Sequence, residues 1–351
     1  MPDQVLTLDV IDMHTAGEPV RIVTGGYPRL TGASILDKRR EALEQHDALR
    51  RALMLEPRGH AGMYGVIPVE PSAGAKAAGA VFGALFIHNE GYSTMCGHAT
   101  VALGKWLVES GQVKAPAEGD VSFLIELPCG VVRVTARLED GKVVQSGFES
   151  VPAFLAQRDV RLEVAGLGAV SADLCYGGAF YLILPASGLG FDFFDTPLQR
   201  LVEIGTAITA AGRAQLEITH PDAAELGFLY GTILTDDAPL PEASFNLCIF
   251  AEGQIDRSPT GSGVTARLAR DHARGLIGAG AERCFYGPTP VPFRASLAST
   301  RSDGSVTVRV SSQSAFSGRA TFEIHSDDPL AYGFSLPPSY GVLRRRIGAA
   351  F

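Results

Sequence analysis

The chain has 351 residues, 46% of them apolar and 19% charged, enough to bury a core across two domains of ordinary size. A formal net charge of −8 speaks against a nucleic-acid surface, and no apolar run approaches the ~18 residues of a transmembrane helix. Five cysteines, at 96, 129, 175, 248 and 284, are scattered and odd in number. They suit a reducing cytoplasm better than a disulfide framework, and MPDQVLTLDV at the start shows no secretory pattern, so a cytoplasmic protein is expected.

Residues 4–12 read as a first strand, 14–19 as a polar turn, and Val20 to Val23 as an apolar strand. His14 in that turn reads as a local hydrogen-bonding residue before a catalytic one. Residues 34–54 have helical spacing, with Ile35, Leu36, Leu43, Leu49 and Leu53 on one face and Pro57 beyond the end. Ala80 to His88 reads as a strand leading into Tyr92-Ser93-Thr94-Met95-Cys96-Gly97-His98-Ala99-Thr100. The run after Cys96 is apolar on nearly every side and stops at Gly111, as a buried helix would.

A cysteine at a helix N-terminus feels the positive end of the macrodipole, which favours the thiolate. The amides of Gly97 and His98 beside it are placed to hold an anion such as a carboxylate. His98, two residues along the starting helix, is expected to point away from Cys96, which argues against a Cys–His acyl-transfer pair. Cys96-x-His98 has no second Cys or His pair at ligand spacing, so no metal is expected. Taken alone, Cys96 would read as a buried structural cysteine.

Further along, Phe123 to Leu127 and Val131 to Leu138 alternate, and Asp140-Gly141 marks a hairpin. Residues 148–154 read as a crossover into the second half. Thr196-Pro197 opens a helix over 197–211. Phe228 to Leu234 and Ser244 to Ala251 read as strands, and Asp303-Gly304 precedes a strand at 305–310. Between them lies Asp256-Arg257-Ser258-Pro259-Thr260-Gly261-Ser262-Gly263-Val264-Thr265-Ala266-Arg267. Laid on the first loop, Thr260 falls on Cys96, Gly261 on Gly97 and Ser262 on His98, 164 positions apart, as in a duplicated domain. Gly261 to Ala266 also matches a dinucleotide pattern. The preceding strand ends about ten residues too early for that turn, so no nucleotide cofactor is expected.

The MCGHAT stretch at 95–100 and the DRSPTGSGVTAR stretch at 256–267 resemble the proline racemase family. So do Asp12 to Pro19, Tyr176 to Tyr181, Asp328-Pro329-Leu330 and Gly333-Phe334. The resemblance implies an α+β, diaminopimelate epimerase-like fold: two similar domains, each a curved sheet around a central helix, with the site in the cleft between them. Residues 1–150 with 319–351 would form the domain carrying Cys96, and 151–318 the domain carrying Asp256 and Thr260. It implies a cofactor-independent enzyme acting on a small cyclic imino acid, and a homodimer. Cys96 and Thr260 would be the two catalytic positions, with Cys96 the base; Asp256 would bind the ring ammonium, and Gly97, His98, Gly261 and Ser262 would hold the carboxylate. Asp256 could otherwise be a cap or turn residue, and Thr260 could simply pack or cap its helix.

Position 260 departs from the racemases and epimerases of that family, which usually carry a second cysteine there. Inversion needs an acid or base on each face of the α-carbon, and a threonine hydroxyl cannot replace a thiol. Threonine at this position is the pattern shown by the family's dehydratases, so the resemblance implies dehydration of trans-3-hydroxy-L-proline to Δ1-pyrroline-2-carboxylate. The alternatives are 4-hydroxyproline 2-epimerase, proline racemase, and a non-catalytic imino-acid-binding protein.

Overall fold

The computed structural model describes residues 5–236, 238–239, 242–278, 280–337, 342 and 344. Its first half runs β1 (Val5–Thr15), β2 (Glu18–Gly25), α1 (Ile35–Met54), β3 (Tyr64–Val69), α2 (Ala73–Ala77), β4 (Ala80–His88), β5 (Tyr92–Ser93), α3 (Gly97–Glu109), β6 (Gly119–Leu127), β7 (Gly130–Glu139) and β8 (Lys142–Glu149). The second runs β9 (Phe154–Val164), β10 (Gly168–Tyr176), β11 (Phe180–Pro185), α4 (Leu198–Gln215), β12 (Leu229–Thr235), β13 (Ser244–Phe250), β14 (Gln254–Ile255), α5 (Gly261–Ala273), β15 (Glu282–Tyr286), β16 (Phe293–Thr300) and β17 (Val306–Ser312), and β18 (Ser314–His325) follows.

Local chemistry accounts for most of these boundaries. Ser34 caps α1 in a reciprocal capping box with Asp37, and Ile35, Leu49 and Leu53 face inward as expected. Leu43 does not: it is 46% exposed, because it lies about 100° round the helix from the fully buried Ala42. Gly111 after α3 has a φ of 76°, and Asp140 and Gly141 turn β7 into β8 with φ of 50° and 72°. The polar turn expected at 14–19 shrinks to Ala16 and Gly17, so β1 continues through His14 and Thr15, and β2 begins at Glu18 rather than Val20. Phe148 and Glu149 belong to β8, which leaves 150–153 as the link to β9.

The strand pairing repeats. The first ladder is β18-β1-β2-β3-β4-β6-β7-β8. The second is β9-β10-β11-β12-β13-β15-β16-β17. In both, successive pairs run antiparallel, antiparallel, parallel, antiparallel, parallel, antiparallel, antiparallel. The helices α1 and α4 fill the same parallel crossover in each ladder, and α3 and α5 fill the other, each after a two-residue strand. β18, late in the sequence, takes beside β1 the place that β9 takes beside β10. The β8–β17 pair, with Glu149 opposite Arg309, joins the two ladders.

Helix α3 is buried at every residue but Lys105 and Glu109. Helix α5 is buried from Gly261 through Ala269. Their N-termini meet tip to tip. A methyl group built on Gly97 would stand 2.4 Å from the Gly261 Cα, and one on Gly261 would stand 2.7 Å from the Gly97 Cα. Backbone therefore touches backbone at the centre of the molecule, and only glycine on both sides permits it.

Gly97→Ala and Gly261→Ala should each destabilise the fold by ~1–3 kcal/mol through overpacking, measured by denaturant unfolding. Either variant unfolding like the wild type would mean that the two tips are not in contact.

Candidate active site

Cys96 is the N-cap of α3. It has extended backbone (φ −142°), and its Sγ accepts a hydrogen bond from the Ala99 amide at 3.4 Å. Thr260 is the N-cap of α5, but the two caps are not conformational equivalents. Thr260 has a φ of 66°, a strained value for a β-branched residue, and its side chain caps nothing. The hydroxyl is buried without a hydrogen-bond partner, and the polar group facing it is the Cys248 thiol on β13. The amides of Gly97, His98, Gly261 and Ser262 all lie in the two first turns, where a helix offers no acceptor of its own.

His98 corrects the expectation drawn from its position. Its ring folds back to place Nδ1 3.3 Å from Cys96 Sγ. Side chains lean toward a helix N-terminus, and the Pro19 backbone accepts from this ring. Burial pushes the imidazole down, while the Asp256 carboxylate opposes that shift. The His98 carbonyl is held by Thr15 Oγ1 at 2.8 Å, so the β1–β2 hairpin clamps the same turn of helix.

Asp256 is buried, and its Oδ1 accepts from the Ser258 amide at 2.8 Å. It is thus a turn residue and also a buried charge that acts on Cys96, His98, Glu18 and Cys248. Ser262 pairs with the Tyr181 hydroxyl at 2.7 Å. His14, by contrast, is exposed on β1 and accepts the Gly17 amide at 3.4 Å, outside this cluster.

The thiol itself departs from expectation. Burial pushes Cys96 well above the ordinary thiol range, and the Asp256 carboxylate pushes the same way, as a charge on Glu18 would. The Ala99 amide and the Tyr64 hydroxyl oppose them. In this closed arrangement desolvation outweighs the pull of the helix terminus. Cys96, Asp256 and Thr260 are each no more than 6% exposed. The cavity nearest in sequence terms, about 700 Å³, is lined by Gly62, Asn89, Gly253 and Arg257. Another of about 840 Å³ lies elsewhere, against Phe154, Tyr176 and His220. Among the described residues, no three His, Cys, Asp or Glu side chains are grouped to hold a metal ion.

Several members of the cluster were not singled out in the sequence. Tyr64 donates to or accepts from Ser93, and its ring meets His98 edge-on at 4.9 Å. Tyr230 stacks on Phe250 and meets Tyr181 edge-on. Glu18 is fully buried, one of its oxygens taken by Arg257 and the other without a partner. A glutamate in a polar turn reads as solvated, and only its burial marks it out.

The proline racemase family model matches residues 10–335. A relative named trans-3-hydroxy-L-proline dehydratase from Homo sapiens is 45% identical, over 94% of this chain and 94% of its own. One named 3-hydroxyproline 2-epimerase from Burkholderia multivorans is 36% identical, over 93% of this chain and 98% of its own. A solved hydroxyproline epimerase from Agrobacterium vitis, with bound trans-4-hydroxy-L-proline, shares the fold. Its TM-score is 0.87, with 96% of each chain covered and 24% identity.

Alkylation of Cys96 by iodoacetamide should be slow at neutral pH and rise steeply as pH passes the ordinary thiol range, because burial, with the Asp256 carboxylate beside it, holds the proton on. Mass spectrometry of the modified peptide across pH reads this directly. Rapid labelling at pH 7 would contradict a raised thiol.

Proposed function

This chain belongs to the proline racemase family, and we propose that it is a trans-3-hydroxy-L-proline dehydratase that works without a cofactor. The observation that carries the reading is the unequal pair of helix caps. One N-terminus presents a thiol and the other a threonine hydroxyl, and the relative at 45% identity carries the dehydratase name. In this reading the first domain, 1–150 with 319–351, brings Cys96, and the second, 151–318, brings Asp256 and Thr260. A homodimer and a cytoplasmic location belong to the same reading.

The chemistry follows from charge. The substrate carboxylate meets the two helix N-termini, where the Gly97, His98, Gly261 and Ser262 amides are free to donate. Its ring ammonium meets Asp256. These two contacts present the α-hydrogen to Cys96. To act as a base the Cys96 thiol first passes its own proton to His98, whose Nδ1 lies 3.3 Å from the sulfur, and the ammonium beside Asp256 opposes the negative charge there. Cys96 takes the α-proton, and the amides stabilise the carboxylate as it gains enolate character. In trans-3-hydroxy-L-proline the hydroxyl lies on the same ring face as the α-hydrogen. The new thiol, with His98 beside it, can return that proton to the departing hydroxyl as the C3–O bond breaks. Water leaves, and the enamine tautomerises to Δ1-pyrroline-2-carboxylate. Nothing in this sequence asks for a proton on the far face, where Thr260 stands.

The test is a substrate panel in deuterated water. Wild-type enzyme should form pyrroline from trans-3-hydroxy-L-proline and give essentially no inverted product from L-proline or trans-4-hydroxy-L-proline. Efficient inversion of any of the three, read by chiral chromatography, would replace this assignment with an epimerase. Cys96→Ser should lose turnover by at least ~10²-fold, as expected for removal of a positioned general base, while keeping the wild-type unfolding curve. Thr260→Ala should lose far less than that, because the hydroxyl transfers no proton.

A further inference from the structure

The site contains one more buried charge than the reaction described above has used. Glu18 opens β2, directly opposite Thr15 on β1, and its side chain is fully excluded from solvent. Its Oε2 accepts from the Arg257 amide at 2.7 Å and from the Arg257 guanidinium at 3.2 Å. Its Oε1 is buried and has no partner. The residue next to Arg257 is Asp256, whose carboxylate is felt directly at Glu18. Around this pair stand the Cys96 and Cys248 thiols, both of which a charge on Glu18 would raise, and His98, whose imidazole burial pushes down.

The charges in this cluster do not balance. Only one guanidinium stands by the two carboxylates, and it serves Glu18: Arg257 is 37% exposed and divided among Glu18 and the carbonyls of Ala61 and Gly62, while Asp256 takes the Ser258 amide. Two carboxylates in one dry site cannot both ionise without a second cation. Burial and the Asp256 charge accordingly push Glu18 well above the ordinary carboxylate range, against the pull of Arg257. An orphaned buried oxygen on a charged side chain is costly unless something pairs with it. A cyclic imino acid brings a secondary ammonium with two N–H donors, one more than Asp256 needs.

We propose that Glu18 is a second carboxylate of the imino-acid site: it takes the ring ammonium together with Asp256, and in the empty site its free oxygen carries the proton that this ammonium displaces. Binding then converts a neutral acid, a carboxylate and an ammonium into two carboxylates and an ammonium, and one proton leaves to solvent. The charge count closes, with Arg257 and the ring nitrogen opposite Glu18 and Asp256. The inference rests on the imino-acid reading of the site, but not on which imino-acid reaction follows.

The experiment is calorimetric titration of the wild-type enzyme with L-proline, which has the ammonium but no 3-hydroxyl, in buffers of different ionisation enthalpy. Release of about one proton per site at neutral pH is expected. Pyrrole-2-carboxylate, whose ring nitrogen carries no charge, should bind without that release. The release should persist in Cys96→Ser, which excludes the thiol as its source, and disappear in Glu18→Gln. Glu18→Gln should also weaken L-proline by at least about 30-fold and pyrrole-2-carboxylate by much less. Should Glu18→Gln fail to fold, an infrared difference spectrum of the wild-type enzyme reads the same event. The C=O stretch of a protonated carboxylic acid should vanish when L-proline binds. L-Proline binding with no proton released and no loss of that band would overturn the role of Glu18 and leave the imino-acid site standing. Failure of both ligands to bind would overturn the site itself.

Discussion

Two helix N-termini meeting backbone to backbone is the constraint on which the rest of this molecule depends. Gly97 and Gly261 bring α3 and α5 so close that neither position has room for a β-carbon. Each helix end carries roughly half a positive charge, and two of them point at one volume. Like poles do not come together at no cost. The contact is sustained because each helix is sheathed by its own ladder of strands, and the β8–β17 pair ties the ladders to one another. The resulting concentration of unpaired amides suits a carboxylate, the one group that every α-amino acid brings.

Burial gives the site its chemical character as much as the helices do. Cys96, His98, Asp256, Thr260 and Glu18 are all removed from water, and Tyr64, Tyr181 and Tyr230 close around them. In such a place a thiol resists ionisation, an imidazole resists protonation, and a carboxylate resists losing its proton. The same dryness magnifies any charge that arrives. In the proposed reading a zwitterionic substrate brings an anion to the helix tips and a cation to the carboxylates, and so relieves both halves of the electrostatic strain.

The duplication is close in topology and broken in detail. Seven successive strand pairings repeat in kind, and β18 completes the first ladder from the far end of the chain. Where the repeats face one another they differ. Cys96 caps α3 from an extended backbone and engages the Ala99 amide. Thr260 stands at the start of α5 in a left-handed conformation with its hydroxyl unpaired. A strain of ~1–3 kcal/mol at such a residue persists only when its surroundings hold it. Here the Ser258 hydroxyl accepts the Thr260 amide, and the Thr260 carbonyl accepts from Val264.

Much of this was legible in the linear chain. The burial of α3, the hairpin at Asp140-Gly141, the helix over 34–54, and the paired loops before Gly97 and Gly261 all follow from short-range patterns, because spacing and turn chemistry act over a few residues. The identity of the two caps, cysteine and threonine, was likewise legible in the amino-acid sequence alone, and with it the asymmetry on which the proposed chemistry rests. Only the tertiary structure decided what surrounds them. It turned the His98 ring back onto Cys96, it left Leu43 in solvent, and it drew Glu18 from an apparent polar turn into a dry cluster with Asp256, 238 positions away. Solvation is set by whichever distant segments close over a group. A sequence pattern can therefore name a thiol at a helix terminus, but the packing of the two ladders determines whether the helix or the loss of water controls its proton.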